Sequence, residues 1–158
     1  MSTLEQAQAD LDQAKARRDQ AQHAYNAANA EVGEAYRKVE TAKRQEAAKV
    51  PVDRTDTTLT DGSPVTSDHR ELRPDGMQKG YVVLSEAERA KGFVRPVRRS
   101  YVHQKCGVVT TMGQALAETY ARDPYFYSGT YCCGCGTHYP VGEDGEFVWD
   151  GTNEKVGT

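Results

Sequence analysis

The chain has 158 residues, of which 37% are apolar and 27% charged, with a mean hydropathy of -0.76 and a formal net charge of -3. That length suits one domain with an appendage, and an apolar share below the globular norm of roughly 45–50% (which also counts glycine) predicts a well-solvated chain. No apolar run approaches the roughly 20 residues of a membrane span, and no secretory or lipidation signal is legible, so a reducing cytoplasm is the expected compartment.

Charge is unevenly spread. Residues 1–49 hold 8 acidic and 8 basic side chains, residues 50–80 hold 6 and 4, residues 81–106 hold 2 and 6, and residues 107–158 hold 7 and 2. The only basic block therefore lies directly ahead of the first cysteine.

Residues 3–48 predict one long helix within a first region, 1–49. Ser2 and Glu5 form a capping box, strong helix formers dominate, and Pro51 forces a stop. Leu4, Leu11, Arg18, Tyr25, Val32 and Val39 lie seven apart, and so do Ala7, Ala14, Ala21, Ala28, Ala35 and Ala42, offset by three. This 3-4 spacing is a coiled-coil seam, large at one position and alanine at the other. Charged or amide residues such as Gln6, Asp10, Lys15, Arg17 and Glu31 flank it. A stripe this narrow needs packing, so the helix is expected to pair with a copy of itself or with a partner's helix, the small seam favouring an antiparallel pair. The alternative is a solvated, alanine-rich single helix.

Residues 50–80 read as a linker or extended arm. The stretch is rich in Thr, Asp, Pro and Gly, without periodicity, and disorder in isolation is the simpler expectation.

Residues 81–158 predict a compact α+β domain. Tyr81–Leu84 reads as a strand. Ser85 and Glu88 frame a short helix over Glu86–Lys91, with Gly92 just past its end. Phe93–Val102 suits an edge strand because of Pro96. Thr110 or Thr111 is expected to cap a helix running to Arg122, burying Met112, Leu116, Thr119 and Tyr120, with Asp123-Pro124 ending it. Thr137–Val141 and Glu146–Trp149 suggest a β-hairpin around Glu143-Asp144-Gly145, and the tail from Asp150 is polar. Tyr120, Tyr125, Phe126, Tyr127, Tyr131, Tyr139, Phe147 and Trp149 supply a small aromatic core or surface anchors.

His103-x2-Cys106-Gly107 and Cys132-x2-Cys135-Gly136 carry the chemistry. Each pair spaces two metal ligands as a knuckle, followed by a glycine able to take positive φ. One histidine and three cysteines fill a tetrahedral shell without leaving a position for water, which predicts one structural Zn2+ at His103, Cys106, Cys132 and Cys135. Cys133 and His138 are the competing ligands. Structural thiols, disulfides or a redox pair are the other readings, but vicinal Cys132 and Cys133 make a poor disulfide framework. Structural zinc is worth roughly 10–16 kcal/mol in finger peptides, comparable to the whole stability of a small domain. The expected architecture is thus a coiled-coil-type helix, a flexible linker and a small zinc-knuckle or zinc-ribbon-like domain.

Arg95, Arg98, Arg99 and Lys105, with Tyr101, are candidate phosphate contacts. The acidic region that follows, and a sequence pI near 5.8, argue against a nucleic-acid surface; the alternative is arginines paired with Glu143, Asp144 or Glu146. A zinc deaminase would need His-x-Glu and Pro-Cys-x-x-Cys; here Gln104 and Lys105 follow His103, and Tyr131 precedes Cys132. Hydrolase, zincin and phosphate-loop motifs are missing too, and no enzymatic activity is expected.

Leu84-Ser85-Glu86-Ala87-Glu88-Arg89-Ala90-Lys91-Gly92-Phe93-Val94-Arg95-Pro96, Ser100-Tyr101-Val102-His103, Thr110-Thr111-Met112-Gly113, Leu116–Pro124 and Phe147-Val148-Trp149 resemble a group of small zinc-binding proteins encoded by tailed bacteriophages and prophages. The resemblance covers about the last half of the chain and leaves the long helix outside it. It implies zinc on the same four ligands and a place in an infected bacterial host's cytoplasm or in a virion, and it brings no activity with it. The expected function is an accessory protein of protein–protein assembly, docking on a virion or host protein through the helix. The alternative is a nucleic-acid-binding regulator or host-takeover factor using Arg95–Lys105.

Overall fold

The computed structural model describes residues 2–158. They form an α+β protein with one long helix at the N-terminal end, α1 (Thr3–Ala48). Its start follows from the capping box: Glu5 N–H donates to Ser2 Oγ at 3.1 Å, and Ser2 N–H donates to Glu5 Oε2 at 2.6 Å. The chain divides into two compact units, 1–42 and 43–158. The first is helical throughout its described length from Thr3.

The second unit builds nine short elements: β1 (Thr57–Leu59), β2 (Val82–Leu84), α2 (Glu86–Arg89), β3 (Ser100–His103), β4 (Val109–Thr111), α3 (Gln114–Arg122), β5 (Gly129–Cys132), β6 (Thr137–Pro140) and β7 (Phe147–Trp149). All strand pairs are antiparallel, in three small sheets: β1-β2, β4-β3-β7 and β5-β6. Inward-facing residues alternate along β3 and β7, as a strand's two-residue period requires. They meet Met112, just past β4, and Ala117 and Tyr120 of α3 in a core of Tyr101, Phe147, Trp149, Cys132 and Val156. Tyr101, Tyr120 and Phe147 contact one another or Trp149 at ring separations of 5.4–6.4 Å, mostly edge-to-face, the arrangement that aromatic quadrupoles favour.

Five expectations change. The segment 50–80, expected as a linker or extended arm, packs on the second unit of its own chain. Thr57–Leu59 pairs with β2, Arg54 grips Asp123 through two bonds of 2.6 and 3.0 Å, and residues 69–80 fold back as a small turn in which Lys79 N–H donates to Glu71 O. Backbone hydrogen bonds and aspartate-centred turns at Asp53, Asp61 and Asp75 order a stretch that has few apolar residues. The strand after Pro96 is central, not at an edge, and starts only at Ser100, clear of the proline. Thr110 and Thr111 belong to β4 rather than to a cap; α3 begins after Gly113, without a side-chain cap bond. Thr137–Pro140 and Phe147–Trp149 do not pair with each other: β6 joins β5 and β7 joins β3. The polar tail also returns to the core, where Val156 is fully buried and Lys155 bridges to Val148.

α2 is short, and its cap is half a capping box. Ser85 Oγ accepts from Glu88 N–H, but the Glu88 carboxylate turns inward to Arg122, Lys91 and the Asp53 N–H. Arg122, fully buried, donates to the carbonyls of Ala47, Val50 and Pro51 at 2.9–3.3 Å. A guanidinium thus adds a donor to the Ala47 carbonyl in the last turn of α1, which also accepts from the Val50 N–H, and covers two carbonyls just beyond the helix. Gly92, at φ +118°, lies so close to Ala47 that a Cβ would sit 2.9 Å from the alanine methyl. Among the described residues no helix is long and apolar enough to cross a membrane.

Candidate metal centre

Two hairpin turns hold the cluster. His103 is the last residue of β3 and Cys106 sits in the turn to β4; Cys132 is the last residue of β5 and Cys135 sits in the turn to β6. The two turns are built alike. Gly107 N–H donates to His103 O at 2.7 Å, and Gly136 N–H donates to Cys132 O at 2.8 Å. Both glycines are left-handed, at φ +73° and +68°, which a side chain would resist. The same local rule, ligand at strand end and ligand three residues on, is thereby executed twice.

The four ligand atoms lie within 4.8 Å of one another. His103 Nδ1 is 3.2 Å from Cys106 Sγ and 3.5 Å from Cys135 Sγ, and Cys106 Sγ is 3.5 Å from Cys132 Sγ. Tetrahedral coordination with bonds of roughly 2.0–2.3 Å separates ligand atoms by about 3.5–3.8 Å, so the donor set fits a metal ion. The cysteines are free thiols, with no disulfide among the described residues.

His103 is buried, its ring stacked on Tyr139 with centroids 4.5 Å apart and tilted on Phe147 at 4.9 Å. Nδ1 faces the sulfurs, which leaves Nε2–H to donate to Glu146 Oε2 at 2.9 Å. Lys105 pairs with the other oxygen of Glu146. The hydrogen bonds from Lys105 and His103 hold the Glu146 carboxyl below the usual range. The carboxylate is therefore ionised and fixes the imidazole's tautomer and orientation, the usual support behind a metal-bound histidine. Sequence reasoning placed Glu146 only as a partner for basic residues. Its signal, a carboxylate directly ahead of Phe147 at the start of β7, became readable only once β7 was paired with β3.

The thiols sit in unlike surroundings. The Val108 N–H lowers the pKa of Cys106, whereas desolvation raises that of Cys135. Cys132 is fully buried in the aromatic core, while Cys106 and Cys135 face solvent.

The competing ligands lie elsewhere. Cys133 exchanges hydrogen bonds with Thr110, whose Oγ1 is 3.4 Å from Sγ and accepts from Cys133 N–H at 3.1 Å. His138 Nε2 is 2.9 Å from the Tyr81 hydroxyl, its ring lies between Tyr81 and Tyr131, and desolvation lowers its pKa.

The cations of the basic segment mostly have internal partners. Arg98 pairs with Glu154 and lies 4.7 Å over the Trp149 ring; Arg99 donates to Met112 O at 3.0 Å; Lys105 belongs to Glu146. Arg95 contacts only carbonyl oxygens, of Thr158 and Val94.

On α1, the seam residues Leu4, Ala7, Leu11, Ala14, Ala21, Tyr25, Ala28, Val32, Ala35, Val39 and Ala42 are all exposed, with Leu4 77% and Tyr25 64% accessible. No protein-family model, curated protein or solved structure matches the chain.

Proposed function

We propose that this chain is a non-catalytic, zinc-stabilised assembly protein of the phage accessory type, in which one Zn2+ staples a zinc-ribbon-like unit and α1 joins the protein to a partner helix. The observation that carries the reading is the donor set, one imidazole nitrogen and three cysteine sulfurs within 4.8 Å of one another. Soft ligands of this kind select zinc over hard cations, and four protein ligands leave no coordination position for water or substrate. The phage origin rests on the resemblance of the second half of the chain, and the assembly role on the exposed heptad face of α1.

Native mass spectrometry at moderate ionic strength, without chelator, tests both parts together. The expected result is one zinc per chain in a defined oligomer. A protein purified without metal, and unable to take it up, overturns the zinc reading. A zinc-loaded chain that stays monomeric and captures nucleic acid in a strongly salt-dependent way replaces assembly by nucleic-acid binding.

A further inference from the structure

We infer that α1 pairs with the same face of a second copy of this chain, antiparallel and with residues 4–42 fully overlapped. This rests on the assembly reading above and specifies its partner, direction and register.

The seam alternates large and small side chains over about 57 Å at 1.5 Å rise per residue, and every member of it is exposed within the chain. In the full antiparallel overlap each layer joins a large residue to an alanine. Leu4 meets the partner's Ala42, Leu11 meets the partner's Ala35, Val32 meets the partner's Ala14 and Tyr25 meets the partner's Ala21. Arg18, the one charged seam residue, meets the partner's Ala28 and can lay its stem across the methyl while its head reaches water. A parallel pair does the opposite: alanine faces alanine in every second layer, leaving gaps, and Arg18 faces its own copy.

Charge selects the same arrangement independently. The residues just before the large seam positions are Asp10, Arg17, Ala24, Glu31 and Lys38. In an antiparallel coiled coil these positions flank one edge of the seam and face each other across it. Full overlap sets Asp10 against the partner's Lys38, Arg17 against the partner's Glu31 and Ala24 against its copy, and the two-fold axis repeats each ion pair. Sliding by one heptad sets Arg17 against the partner's Lys38 in one direction, or Asp10 against the partner's Glu31 in the other, so both neighbouring registers bring like charges together. On the opposite edge Gln8, Lys15, Gln22, Asn29 and Tyr36 oppose one another without a like-charge contact. Such exposed pairs add little affinity but discriminate among alternatives. Lys38 now bonds Glu34 at 2.9 Å, with both side chains largely exposed, an arrangement easily exchanged.

The experiment is sedimentation equilibrium of the full, zinc-loaded chain at low ionic strength, with circular dichroism as control for helix content. The wild type is expected to dimerise. Arg17→Glu and Glu31→Arg should each weaken the dimer about tenfold, because each turns two attractive pairs repulsive, and the double variant should return to within about threefold of wild type. In a parallel pair Arg17 would face the partner's Gln22 and Glu31 the partner's Tyr36, and no rescue would occur. Single variants that dimerise like wild type, or a double variant no better than the singles, overturn this direction and register while leaving assembly through α1 standing. A zinc-loaded wild-type monomer overturns self-pairing altogether. Metal content, read on the same samples, tests the zinc reading separately.

Discussion

At the residue scale the centre depends on a carboxylate that is not a ligand. Glu146→Gln keeps the shape of the side chain but weakens its grip on the His103 Nε2–H, and metal affinity is expected to fall about 10–100-fold, the usual cost of losing such a partner; competition with a chromophoric chelator measures it. Away from the metal, Arg122 and Glu88 form a fully buried pair. Arg122→Met is expected to destabilise the protein by about 3–5 kcal/mol, because a buried carboxylate loses one of its two cations and the carbonyls of Ala47, Val50, Pro51 and Gly92 each lose a donor; urea unfolding reads the loss. Burial opposes ionisation of Glu88, but hydrogen bonds from Lys91, the Asp53 N–H and Arg122 outweigh it and hold the carboxyl below its ordinary value of 4.5. A carboxylate depressed in the folded state contributes stability that is fully present above the unfolded value and is lost as pH falls through the folded one. The wild type should therefore lose stability on acidification below about pH 4.5 more steeply than Glu88→Gln, followed as the urea midpoint against pH. The four side chains that the structure clusters, His103, Cys106, Cys132 and Cys135, were legible in the sequence because knuckle spacing is a local property. Glu146 and Arg122 were not, because what each touches lies 43 and 75 residues away.

The elements divide the same way between local and distant causes. α1 could be read from its capping box, composition and heptads, all of which act within a few residues. The strands of the second unit are only three or four residues long, too short for a two-residue period to declare a partner. β6 and β7, each correctly placed as a strand, were therefore joined to each other when they belong to β5 and β3. Thr110 had the composition of a cap, yet its hydroxyl is engaged with Cys133 across the gap from β4 to β5. On α1 the alanine seam sets its own test. Ala21→Leu or Ala28→Leu places a branched side chain where the partner helix must approach most closely, and either is expected to shift the protein to lower mass in light scattering without loss of helicity. Unchanged mass in both variants would count against a close helix pair.

For the whole molecule, the main core cluster of the second unit holds eight of the twelve buried apolar residues in 43–158, a modest set for that length, and two of its three sheets end in the knuckles. Chelation is expected to abolish the near-ultraviolet circular dichroism of Trp149 and its tyrosine neighbours while much of the helical signal of α1 remains. Cooperative unfolding of the second unit that persists after metal removal would sink the stapling role.

The turn at 73–77 lies directly on the second knuckle. An ideal Cβ on Gly76 would fall 1.8 Å from Gly136 O, and the Tyr131 hydroxyl donates to Asp75 O at 2.6 Å. That turn is closed by its own hydrogen bonds, among them Arg73 N–H to Met77 O at 2.7 Å and Lys79 N–H to Glu71 O at 2.8 Å, and it docks on the knuckle through these two contacts. Its docking is then expected to report on the metal site: with an ion bound, trypsin should cut slowly at Arg70, Arg73 and Lys79, and after chelation it should cut there first. Susceptibility to proteolysis would then follow metal occupancy, with the nick falling in the segment whose composition most resembles a disordered chain.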